Sequence, residues 1–166
     1  MKSLPAHFRI ACFLAVVTFP AMAHAQADPS NHGAHGAVAK QQPWGIAGEP
    51  RKVTRTVEIK MTDDMRFVPD RIEIREGETI RFALLNRGKL MHEFVIGSRA
   101  EFNRHAAAMA QQPAMKHDEP SMVHVGPGKT GTVVWTFNRT GEYSFACLVA
   151  GHYESGMFGV LSVKPG

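Results

Sequence analysis

From residue 53 onward the chain is a series of short apolar–polar alternations separated by turn residues. This pattern limits the fold more than any other feature. Val53, Val57 and Ile59 interleave with Thr54, Thr56, Glu58 and Lys60, the two-residue period of a half-buried strand. Further segments of strand character lie at 71–75, 79–85, 90–96, 130–137, 142–148 and 157–163. The segment 67–70 reads as a turn into the strand at 71–75, and 76–78 and 86–89 carry the Gly and Asn that tight turns require. About seven short strands, with turn signals every eight to twelve residues, predict an all-β sandwich. One stretch breaks the rhythm. Ser98 and Glu101 have capping-box spacing, and the Ala-rich run 100–112 ends before Pro113, so a helix is expected in an insert over about 98–120.

The N-terminus has a different character. Lys2 and Arg9 precede an apolar run over 10–19, followed by Pro20 and the small-residue segment 21–25. This is the form of a secretory signal peptide cleaved after Ala23 or Ala25, and 1–25 is assigned to it. The run is too short to span a bilayer, so the mature chain is expected in the periplasm, without a membrane span. Residues 26–50, rich in Ala, Gly, Pro, Gln and His, read as a flexible leader or loosely docked arm, and 51–166 as the domain. The net charge of +4 forms no basic stripe, which argues against nucleic acid as a partner. Of two cysteines in the sequence, Cys12 leaves with the signal peptide and Cys147 remains. A lone thiol in an oxidising compartment calls for an occupant.

The neighbours of Cys147 supply one. His152 and Met157 follow it in a C-x4-H-x4-M spacing, and His92 opens a strand upstream. Two imidazoles, a thiolate and a weak axial thioether are the ligand set of a mononuclear blue-copper site. Period two places Tyr143, Phe145 and Cys147 on one strand face, and His92, Phe94 and Ile96 on another. Gly151 and Gly156 ease the turns between the C-terminal ligands. The competing readings are weaker. A buried free cysteine beside a surface histidine and a core methionine leaves the exported thiol unexplained. Zinc rarely takes a thioether. A dinuclear copper centre would need a second cysteine in this loop, and the multicopper-oxidase arrangement would need histidines where Ala146 and Leu148 stand.

The stretch from about 53 to 163 resembles the cupredoxins, the type 1 copper proteins, through the segment 142–147 (EYSFAC) followed by 151–159 (GHYESGMFG). The ligand spacing is similar to rusticyanin-like members. The resemblance implies a Greek-key sandwich with copper at one end, held by His92, Cys147, His152 and Met157. It also implies one-electron exchange through the edge of His152, where a periplasmic redox partner would dock. Two departures stand out: many members have Pro where Ala150 or Gly151 stands, and many have Asn in place of Glu93.

The chain carries nine histidines and nine methionines, more than one copper site uses. His105, Met109, Met115, His117, Met122 and His124 fall in or beside the insert. Two readings stand: a second soft Cu(I) site, or core methionines and solvated histidines. In the arm, His32 and His35, joined by His24 if cleavage follows Ala23, likewise read as a metal-binding tract or as a polar one. Tyr153 and Phe158 read as an apolar docking rim or as packing around the metal, and Trp135 as core. The His and Met surplus resembles that of CopI-type periplasmic copper-tolerance cupredoxins. The expected function is therefore copper tolerance, by binding or oxidising excess Cu(I), without a dedicated enzyme site. The alternative is a soluble one-electron carrier between periplasmic redox proteins.

Overall fold

The computed structural model describes residues 40–111 and 119–166. The expected signal peptide, His24, His32, His35, Met115 and His117 lie outside the described residues. Along the chain come β1 (Ile46–Ala47), a short 3-10 turn (Pro50–Lys52), β2 (Arg55–Thr62), β3 (Arg66–Val68), β4 (Arg71–Arg75), β5 (Thr79–Asn86) and β6 (His92–Gly97). Helix α1 (Arg99–Gln111) follows, then β7 (Met122–Val125), β8 (Thr130–Thr136), β9 (Gly141–Ala146) and β10 (Phe158–Lys164). The strands form two five-stranded sheets, in the orders β1-β8-β5-β2-β3 and β4-β10-β9-β6-β7. The expected all-β sandwich with one inserted helix is the observed fold.

Alternation in the sequence becomes alternation in burial. In β4, Ile72 and Ile74 point inward while Arg71, Glu73 and Arg75 stay exposed. The Glu76–Glu78 turn into β5 uses Gly77 at φ +89°, where a side chain would be strained. The inner faces meet in an aromatic cluster. Phe94 packs against Phe82 and Phe145 at centroid distances of 5.2 Å and against Phe67 at 6.0 Å. Trp135 is core, as expected. The side chains of β9 and β6 that lead to the site, Phe145 and Phe94, are thus wholly buried in the core.

The structure corrects the sequence reading in two places. The stretch 26–50 is not an arm throughout: Trp44 is buried, β1 pairs with β8, and Trp135 Nε1–H donates to the Trp44 carbonyl at 2.9 Å. An aromatic anchor and a two-residue strand are enough to dock 42–47, and neither leaves a periodic trace. Likewise 67–70 is not only a turn, since Phe67 and Val68 belong to β3, which pairs with β2. Helix α1 opens on the expected cap. Glu101 N–H donates to Ser98 Oγ, and Ser98 N–H donates back to Glu101 Oε2.

Candidate metal centre

His92 opens β6, Cys147 follows the last residue of β9, and the loop after it returns through His152 to Met157, immediately before β10. The β6–β9 pairing of Val95 with Ala146 fixes these strand ends side by side. The loop closes on itself through its backbone. Cys147 N–H donates to Met157 O at 3.0 Å, Met157 N–H to His152 O at 3.1 Å, and His152 N–H to Val149 O at 2.9 Å. Gly151 and Gly156 take φ values of +82° and +91°, which meets the expectation placed on both. Arg66 pins the far side by donating to Ser155 O.

The result is a buried cluster. The ligand atoms of His92, Cys147 and His152 all lie within 4.8 Å of one another. The His92 ring donates or accepts at Nε2 with Asp63 Oδ1 at 3.2 Å, while its Nδ1 is buried and has no hydrogen-bond partner. Such an orphaned nitrogen is costly, and a metal is the occupant that suits it. Cys147 Sγ lies 3.3 Å from His152 Nδ1 and accepts the Glu93 N–H at 3.2 Å. Burial, followed by the nearby His92, holds the His152 imidazole below its ordinary pKa, so it stays neutral, as a ligand must. The side chains present therefore fit a soft, borderline metal ion. Met157 is wholly buried and tied by its backbone to both Cys147 and His152.

Burial also pushes the Cys147 thiol up to about 11 from an ordinary 9.0, against the opposing pull of the Glu93 N–H. Folding thus favours the neutral thiol. Its contribution is fully present below pH 9 and is lost as pH rises through about 11. Metal-free protein is expected to lose roughly 3 kcal/mol across that window. Denaturation of the metal-free protein between pH 8 and pH 11, beside Cys147→Ser, checks this: the serine variant lacks that component of the loss.

Glu93 has a definite place. Its buried carboxylate accepts the Leu148 N–H at 3.0 Å through Oε2 and pairs through Oε1 with His124 Nε2 at 3.2 Å. The side chain that departs from the family's Asn thus still bridges the first histidine's strand to the ligand loop. Sequence reasoning missed Asp63 as a partner of the site. It lies 29 residues before His92, and no local spacing connects them.

The other candidates separate. His105 and Met122 line one cavity of about 340 Å³ together with Trp44, Glu101 and Glu119. His124 faces Glu93, and Met109 lies within α1. Tyr153 and Phe158 pack with Phe102 of α1, at 5.8 Å for Phe102–Tyr153 and 5.9 Å for Tyr153–Phe158, and Arg99 covers the Phe158 ring. Both pack beside the loop and stay partly exposed.

A two-sheet β-sandwich with a buried His-Cys-His cluster at one end defines a copper-binding cupredoxin. Residues 53–164 match the family of copper binding proteins of the plastocyanin/azurin type, and the chain belongs to that family. It is 41% identical over 155 residues to the copper-resistant cuproprotein CopI of Rubrivivax gelatinosus, covering 92% of this chain and 93% of that one. It is 35% identical to the CopI of Pseudomonas aeruginosa, covering 86% and 90% respectively. Among solved structures, reduced auracyanin of Roseiflexus castenholzii aligns with a TM-score of 0.57 at 23% identity, over 68% of this chain and 99% of that one. Among the described residues, no helix is long and apolar enough to cross a membrane.

Proposed function

We propose that the protein is a periplasmic type 1 copper protein that serves copper tolerance, with His92, Cys147 and His152 as ligands and Met157 as a weak axial one. The observation that carries this reading is the buried, unpartnered His92 Nδ1 grouped with Cys147 Sγ and the buried His152 ring. Bound there, copper would supply one-electron exchange between its cuprous and cupric states. The protein's own part is to hold three ligands in a dry, prebuilt pocket, so that little rearrangement accompanies the change of charge. Removal of 1–25 on export is part of this proposal. Similarity to the CopI proteins over most of the chain supports tolerance as the purpose.

The carrier reading draws support from one observation. Leu90 and Met91, immediately before His92, are exposed at 46% and 48%, an apolar surface of the kind a redox partner would cover. The readings part on phenotype. Deleting the gene is expected to make cells copper-sensitive, with rescue by the wild-type chain and none by Cys147→Ser. Growth in copper equal to that of the parent strain would overturn the tolerance reading and favour the carrier.

A further inference from the structure

We infer that Asp63 is a positioning residue of the copper centre, which fixes His92 in its Nε2–H form and places a negative charge that favours Cu(II) over Cu(I). The inference rests on His92 being a ligand. Asp63 lies in the turn between β2 and β3, in the sheet opposite β6. Its Oδ1 is 3.2 Å from His92 Nε2. The His92 side chain is wholly buried, whereas that of Asp63 is 36% exposed. One ring nitrogen of His92 is therefore engaged by a carboxylate and the other is left bare in the metal pocket. A carboxylate accepts and does not donate, so the proton belongs on Nε2 and the lone pair on Nδ1. This is the carboxylate–histidine–metal relation that orients a ligand and raises its basicity.

The surroundings are built to hold the carboxylate there. Lys89 N–H donates to Asp63 Oδ2 at 2.7 Å and Leu90 N–H to Oδ1 at 3.2 Å. Two backbone N–H donors thus hold the carboxylate as an acceptor facing the His92 ring. The turn that presents both N–H groups is shaped by buried Asn86. Asn86 accepts the Gly88 N–H and donates to Leu90 O and Val125 O, each at 2.8 Å. Gly88 leaves the room: a Cβ there would overlap the Asp63 carboxylate. Two substitutions therefore reach the same contact. Asp63→Asn removes the charge, and Gly88→Ala displaces the carboxylate while keeping it in the chain.

The test has a metal-free and a metal-loaded arm. In ¹⁵N NMR of the metal-free protein, wild-type His92 is expected as the Nε2–H tautomer, with mixed tautomers in Asp63→Asn. Finding Nδ1–H in the wild type would overturn the inference. In the loaded protein, losing such a partner lowers affinity by about 10- to 100-fold. The loss is expected to be about tenfold greater for Cu(II) than for Cu(I), a rise in reduction potential of about 59 mV. Gly88→Ala is expected to shift the potential in the same direction, and it decides alone if Asp63→Asn fails to fold. Unchanged potentials in the folded variants, or equal losses for both oxidation states, would mean that Asp63 only braces the turn, and would overturn the inference. If the wild-type chain formed no thiolate–copper band, the copper reading would fail, while the tautomer measurement would still decide the placement of Asp63.

Discussion

Cys147→Ser is expected to abolish the intense visible thiolate-to-copper band completely while leaving the β-sandwich folded. The band needs a sulfur donor, and Cys147 is the only cysteine among the described residues. A serine hydroxyl is a hard, protonated group at neutral pH and is a poor ligand for either copper state. The fold has less reason to change. The thiol sits at a strand end, and a serine Oγ can still accept the Glu93 N–H that now reaches Sγ at 3.2 Å. Absorption spectra of the copper-loaded variant, read beside far-UV circular dichroism, separate ligand loss from unfolding. A retained band in the folded variant would remove Cys147 from the centre.

The largest expected effect on stability comes from Phe94→Ala. Phe94 is wholly buried in β6 and meets three other phenylalanine rings, Phe67 and Phe82 across the sandwich and Phe145 on the neighbouring strand. Truncating a core phenylalanine costs about 3–5 kcal/mol through lost burial and the cavity left behind. A domain of this size is stable by only about 5–15 kcal/mol, so the variant forfeits a large share. The copper centre should weaken as well, because Phe94 anchors the strand that delivers His92. Urea denaturation of the metal-free variant measures the first effect, and copper titration the second. A loss below about 1 kcal/mol would show that the interior repacks around the missing ring.

Much of the fold and of the centre is legible in the sequence because it is local. Ile72 and Ile74 alternate with charged neighbours, so β4 and its buried face follow from period two alone. Ser98 and Glu101 announce the start of α1. The grouping of Cys147, His152 and Met157 within one loop, with glycines at the turns, marks the candidate centre through residue types and spacing. What escapes is non-local or very short. β1 and β3 span two and three residues, too few to display a period. The parallel pairings of β2 with β5 and of β4 with β10 depend on how the two sheets assemble. Asp63 reaches His92 only because the β2–β3 turn meets the 86–90 turn in space, and Trp44 gives no sign that a polar stretch ends in an anchor.

Extended X-ray absorption at the copper edge of the loaded wild-type protein tests the central claim most directly. Copper held by His92, Cys147 and His152 predicts a short-range shell of two nitrogen scatterers and one sulfur, with the sulfur lost in Cys147→Ser. A shell made only of nitrogen and oxygen in the wild-type protein would contradict it.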